Sequence, residues 1–246
     1  MRAVRLSTRG QEAPPSPIRK LVPLAEAARA RGVEVHSLNI GRPDIETPPA
    51  MWKAIESHPK VLAYSHSAGI PELRAGLSRY YGRHDIDMSP EEILVTTGGS
   101  EAILFALASI TDPGDEVLIP EPLYANYLGF CRLLEVRPIP IPTSAEQGYH
   151  LPARTAWEQR LTARTRAILF SNPGNPTGTV YEAPEIEMLL SLAAEWGLFL
   201  VADEVYREFC YDGRRHQSVL TYGRVQDRII LVDSISKRWS ACGARI

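Results

Sequence analysis

The chain has 246 residues, 44% of them hydrophobic and 23% charged, the makeup of a globular protein that buries a substantial core. That length suits one large domain, or a large domain plus part of a second. With 27 Lys and Arg against 29 Asp and Glu the formal net charge is -2, which excludes the broad basic footprint that nucleic acid or an anionic membrane surface requires.

Cys131, Cys210 and Cys242 lie far apart and form no CxxC pair, so neither a zinc site nor a disulfide framework is expected. Reduced thiols in a cytoplasmic protein, with no bound metal, are the expectation. The basic segment 1–30 is interrupted by prolines and holds no long apolar run, so no signal peptide is read there, and no stretch approaches a membrane span.

Residues 1–13 read as a mobile arm. Ser16 to Arg31 has Ile18, Leu21, Val22, Leu24 and Ala28 roughly on one side and Gly32 as a stop, which predicts a helix. Glu34 to Ile40 alternates as a short strand and runs into the turn Gly41-Arg-Pro-Asp44. From residue 90 onward short apolar runs alternate with helical patterns. Strands are expected at 93–97, 116–120, 136–141, 167–171, 198–202 and 228–232, and helices at 101–110, 124–134 and 182–196. This order predicts an α/β fold of three layers, α/β/α, around a mostly parallel sheet. Ligands of such sheets sit beyond the carboxyl ends of the strands, so the residues that follow each strand carry the functional reading.

After 93–97 comes Gly98-Gly-Ser-Glu101, leading straight into a helix. Glycines admit a ligand close to the backbone and the helix start offers free N–H groups, which suits a phosphate; a plain strand-to-helix turn fits the same residues. It is not a Walker motif. Tyr124, after the next strand, can stack on a planar ring or simply pack at a helix start. The string Ser171-Asn-Pro-Gly-Asn-Pro-Thr-Gly178 forces a rigid, non-helical loop that can aim the Asn175 amide, and it is the most specific signal in the chain. Asp203 ends a strand expected to be buried, where a carboxylate needs a cation or hydrogen bonds; Tyr206 follows three residues later. The last strand leads into Ser234-Ile-Ser-Lys237, with Arg245 eight positions beyond the lysine. An amine so placed suits imine formation, and the arginine suits a phosphate on the same ligand.

Taken together, Asn172-Pro-Gly-Asn-Pro-Thr-Gly178, Asp203-Glu-Val-Tyr206 and Ser234-x-Ser-Lys237-x7-Arg245 resemble the class I and II aminotransferases, pyridoxal-phosphate enzymes of fold type I. Gly98-Gly-Ser-Glu-Ala102 and Tyr64-Ser-His-Ser-Ala-Gly69 match less specifically, and the likeness runs from about Gly41 to Ile246. It implies a large cofactor-binding domain over 46–246, incomplete at its C-terminal end, preceded by an arm and a small-domain segment over 1–45. It implies that Lys237 forms the imine with pyridoxal 5'-phosphate, that Asp203 pairs with the ring nitrogen, and that Asn175 and Tyr206 bond its phenolic oxygen. Tyr124 would stack on the ring. Gly99, Ser100, Glu101, Ser234, Ser236 and Arg245 would hold the phosphate. Tyr64 would reach the phosphate of a neighbouring subunit, which implies a homodimer with shared active sites.

The activity implied is transfer of an amino group between an amino acid and a 2-oxo acid by a ping-pong Schiff-base cycle, with aspartate or a broad range of donors. Lys237 would move the proton; Gly41 and Asn175 would lie near the substrate. The arginine that grips the substrate α-carboxylate in this family falls beyond the matching region. A carbon–sulfur lyase would use the same constellation, and a non-catalytic binding domain would keep the fold without turnover.

Overall fold

A computed structural model describes residues 4–41, 43–61, 63–223 and 226–246. Its helices are α1 (Thr8–Gln11), α2 (Val22–Ala30), α3 (Pro49–Glu56), α4 (Pro71–Gly82), α5 (Gly99–Ile110), α6 (Asn126–Leu133), α7 (Arg154–Glu158), α8 (Ala183–Trp196) and α9 (Ile235–Arg238). The strands β1 (Glu116–Glu121), β2 (Arg137–Pro142), β3 (Thr165–Ser171), β4 (Phe199–Asp203) and β5 (Ile229–Val232) form one sheet in the order β2-β1-β3-β4-β5. Every neighbouring pair is parallel.

Strand periodicity sorts the core into two layers. Val117, Ile119, Ala167, Leu169 and Val201 face α5 and α6, meeting Ile103, Ala106, Leu107, Tyr127 and Cys131. Leu118, Ile168, Phe170, Leu200 and Ala202 face α8 and the buried Trp157 of α7, meeting Ile186, Leu189, Leu190 and Ala193. The three-layer α/β/α expectation therefore holds. The same alternation decides the chemistry at the end of β4: Asp203 continues the Val201 face toward α6, and Glu204 points to the other side.

Local signals explain the elements. α8 starts in a capping box, with the Glu182 N–H donating to Glu185 Oε2 at 2.8 Å, and stops at Gly197 with φ 67. β2 tolerates Pro138, Pro140 and Pro142 because it is the sheet's edge, where a missing N–H costs no ladder bond.

Four expectations differ from the structure. Glu34–Ile40 is not a strand: alternation needs a partner strand, none of the described residues supplies one, and Arg29 Nη2 instead bonds Val35 O and Ser37 Oγ. Ile93–Thr97 is extended but in no ladder, since a cavity of about 540 Å³ lies between it and β5; Val95 N bonds Ala68 O. The N-terminal arm carries the short helix α1, which ion pairs from Arg9 to Glu135 and from Arg132 to Glu12 hold against α6 and the turn after it. The expected helix at 16–31 begins later, as a 3-10 turn at Arg19–Leu21 that passes into α2. Among the described residues no helix is long and apolar enough to cross a membrane.

Candidate active site

Four adjacent strands deliver the candidate residues to one sheet edge. β1 leads to Tyr124, β3 to the 172–178 loop, β4 to Asp203 and Tyr206, and β5 to Ser234, Ser236 and Lys237. This convergence follows from parallel strands that all end on the same side.

Asp203 is buried, and among the described residues no cation pairs with it. Its Oδ2 accepts from the Tyr127 hydroxyl at 2.6 Å and its Oδ1 from Val205 N at 3.3 Å. Burial pushes the carboxyl up to about 6, against the lowering effect of those two bonds. Among the described residues the group thus lacks a positive partner. Tyr124 stands edge-on to Tyr127 with ring centroids 5.3 Å apart, and its hydroxyl accepts from Asn126 Nδ2 at 2.7 Å. Burial and the Asp203 charge raise Tyr206 to about 12, so its hydroxyl stays a donor. The Lys237 amine sits 5.9 Å from the centre of the Tyr206 ring and donates to the Gly41 carbonyl. Arg42, beside that glycine, lies outside the described residues.

The Gly41 turn is fastened to the lysine segment by two further bonds, Thr47 Oγ1 to Ser240 O and Ser240 Oγ to Ile45 O, each 2.6 Å. Asn175 shares a small cavity of about 20 Å³ with Tyr127, Ser171 and Tyr181, beneath the 172–178 loop. The loop is closed by Gly178 N to Gly174 O and Gly174 N to Thr179 O, both 2.8 Å.

At the opposite end, α5 begins beside the 233–234 backbone. A Cβ on Gly99 would lie 3.8 Å from Asp233 O and 3.9 Å from Ser234 Cβ. Ser234 Oγ and Ser236 Oγ are 2.8 Å apart. Gly98 has φ +76, and a Cβ there would come within 2.5 Å of Arg245 Nη2, so the guanidinium crosses directly over this glycine. The first-turn N–H groups of Gly99 and Ser100 have no intrahelical acceptor, which leaves them available to an anion. Glu101 departs from the expectation. Its carboxylate accepts from Thr97 N at 2.6 Å and its own N–H bonds Gly98 O at 3.2 Å, so it caps the helix and has no free donor for a phosphate. Tyr64 is not brought to the cluster; it is fully exposed.

Residues 33–246 match the family description "Aminotransferase class I and II". The chain belongs to the class I and II aminotransferases. It is 32% identical to a probable aspartate/prephenate aminotransferase of Aquifex aeolicus, over 98% of this chain and 62% of that protein. It is 35% identical to aromatic-amino-acid aminotransferase 2 of Thermococcus litoralis, again over 98% and 62%. The aspartate aminotransferase of Thermus thermophilus with maleate superposes with TM-score 0.90 at 32% identity, covering 100% of this chain and 63% of that one. The chain thus spans about 62% of the length of the curated relatives it matches.

Aminotransferases of this family use pyridoxal 5'-phosphate, and the residues present fit that group. A buried carboxylate without a cation suits a protonated ring nitrogen, and the α5 start with Ser234, Ser236 and Arg245 suits a phosphate.

Sequence reading missed Tyr127. A second tyrosine three residues after Tyr124 was the available signal, and the two rings do meet edge to edge, although Tyr124 precedes α6. It also missed Glu204, His216 and Asn172, whose contacts join segments far apart in the chain.

Proposed function

We propose that the protein containing this chain is an aminotransferase that moves an amino group between an amino acid and a 2-oxo acid in a ping-pong cycle. The observation that carries this reading is the buried carboxylate of Asp203, unpaired with any cation among the described residues, on the same sheet edge as the Lys237 amine. A carboxylate that burial has lifted to about 6 is stabilised by any fixed positive charge brought beside it, and a protonated heterocycle supplies one.

When bound, pyridoxal phosphate supplies an electron sink for the pair left by the substrate's Cα–H bond. The chain's own residues hold, orient and move protons. Lys237 would hold the cofactor through its amine and would carry the proton from the substrate Cα. Asp203 would keep the ring nitrogen charged. Tyr124 would pack against the ring, and Asn175 and Tyr206 would donate to its phenolic oxygen. Gly99, Ser100, Ser234, Ser236 and Arg245 would hold the phosphate, while Gly41 would border the substrate.

The names of the relatives favour aspartate as amino donor, with an aromatic or prephenate-type partner as the second class. The full exposure of Tyr64 fits a role in the site of a second copy. Three free cysteines fit a reducing, cytoplasmic setting.

The test uses the full-length protein loaded with pyridoxal phosphate. A visible absorption band should appear, and borohydride should fix the cofactor mass on Lys237. Amino donors should bleach the band, and a 2-oxo acid should restore it. A colourless protein, or turnover without any 2-oxo acid, would overturn the reading.

A further inference from the structure

The α8 face of the sheet holds a buried polar relay directly behind the site. Glu204 is completely buried and accepts from four groups: Arg207 Nη2 at 2.5 Å, His216 Nε2 at 2.9 Å, Ser218 Oγ at 3.0 Å and Val219 N at 3.1 Å. Burial alone would raise its carboxyl, but the His216 bond and the Arg207 charge outweigh burial and hold it below the usual range. His216 reaches on to Asn172, with Nδ1 3.4 Å from Asn172 Nδ2. Asn172 Oδ1 accepts the Tyr181 N–H at 2.9 Å, and its backbone N–H donates to Asp203 O at 3.0 Å.

These bonds fix every direction in the relay. Because Asn172 Oδ1 faces an N–H, its amide nitrogen faces the imidazole, so His216 Nδ1 accepts. The ring proton then sits on Nε2 and points at Glu204. No member can be turned without placing donor against donor or acceptor against acceptor.

Glu204 is the neighbour of Asp203, and Asn172 opens the loop that carries Asn175. One relay on the far side of the sheet therefore spans the roots of two side chains that face the cofactor site from different strands. We propose that His216 is a positioning residue: held by Glu204, it sets Asn172 and thereby the loop that aims Asn175, fixing the distance between Asn175 and Asp203. This inference rests on the aminotransferase reading. It assigns a role to three residues that touch neither cofactor nor substrate.

Two variants separate the halves of the relay. His216→Asn keeps an acceptor near Nδ1 and loses the Glu204 contact; His216→Gln keeps a donor near Nε2 and loses the Asn172 contact. The readout is the pH midpoint of the visible Lys237–cofactor band, with cofactor affinity measured alongside. A loosened Asn175 leaves more charge on the ring oxygen, which holds the nearby proton more tightly. His216→Gln is expected to raise the midpoint by about half a unit or more and to weaken cofactor binding roughly threefold to tenfold, the scale of one hydrogen bond. His216→Asn is expected to stay closer to wild type on both.

An unchanged midpoint in a folded, cofactor-loaded His216→Gln protein overturns the proposal, as does a larger shift in His216→Asn. Should His216→Gln not fold, Asn172→Ala removes the same contact from the other side, and the same midpoint decides. A wild-type protein with no borohydride-reducible band at Lys237 would instead sink the functional reading.

Discussion

The Tyr127 hydroxyl donates to Asp203 Oδ2 at 2.6 Å, and both residues are buried. Tyr127 therefore controls how readily Asp203 carries its charge. Burial lifts the Asp203 carboxyl from 3.8 to about 6, and the tyrosine bond opposes the lift. A folded-state pKa above the unfolded one favours folding at low pH, and that contribution is lost as pH rises through the window from 3.8 to about 6. Removing the bond raises the folded-state value further and extends the loss to higher pH. Tyr127→Phe in the cofactor-free protein is thus expected to trail wild type by roughly 1 kcal/mol more above pH 6 than below it, read by urea unfolding across pH. A deficit that does not change with pH would show that the tyrosine does not act on this proton.

Gly98 and Arg245 make a second pair whose geometry bears on the phosphate. Alanine at 98 would be held at φ 76 and ψ 168, a region essentially reserved for glycine that costs an L-residue about 1–3 kcal/mol, and its Cβ would displace the guanidinium from 2.5 Å. The arginine tip can move, so the fold is expected to survive with that modest loss. Affinity for pyridoxal phosphate should fall about tenfold, the scale of a lost charged hydrogen bond, with affinity for unphosphorylated pyridoxal unchanged. Calorimetry with the two ligands checks this. An equal loss for both would remove Arg245 from the phosphate site.

Cys131 is fully buried on the sheet-facing side of α6, and burial pushes its thiol up to about 12. Thiolate is the reactive form, so Cys131 is expected to resist a thiol reagent in the native protein and to react only on unfolding. Cys210, half-exposed, should label well before it. Mass spectrometry of a labelling time course would read the order, and early labelling of Cys131 would contradict the packing of α6 on the sheet.

What the sequence disclosed was whatever depends on local pattern. The strand–helix alternation from Glu116 onward and the apolar-faced α8 are written in short windows, and the structure has them. The convergence of Lys237, Asp203, Tyr124, Asn175 and Tyr206 on one sheet edge was legible because each lies at or just past a strand end and parallel strands end together. Ile93–Thr97 misled because β-pattern records an apolar alternation, not a partner; with a cavity at the edge of β5 there is nothing for it to pair with. Glu101 misled because a carboxylate at a helix start has two uses, and capping the Thr97 N–H took precedence over a ligand. Tyr127 and the Glu204–His216–Asn172 relay depend on contacts between residues 76, 12 and 44 positions apart, which no local pattern encodes.

The lysine helix α9 is anchored by a buried ion pair one residue from Lys237. Arg238 contacts Asp233 through Nη2 and Oδ1, with side-chain exposures of 3% and 8%. Asp233 also accepts from the Tyr81 hydroxyl at 2.9 Å and from Ser234 N at 2.7 Å, and the Arg238 guanidinium lies 4.6 Å from the centre of the Tyr80 ring. Deleting one charge of such a pair leaves the other buried without compensation, which costs far more than the pair itself contributes. Arg238→Met is expected to lose about 3–5 kcal/mol in urea unfolding. The double variant Asp233→Asn/Arg238→Met should recover most of that loss, because the remaining amide can still take the Tyr81 and Ser234 bonds without an uncompensated charge. A double variant no more stable than Arg238→Met alone would mean that the stacking of Arg238 on Tyr80 and Trp239, rather than its charge, holds the lysine in place.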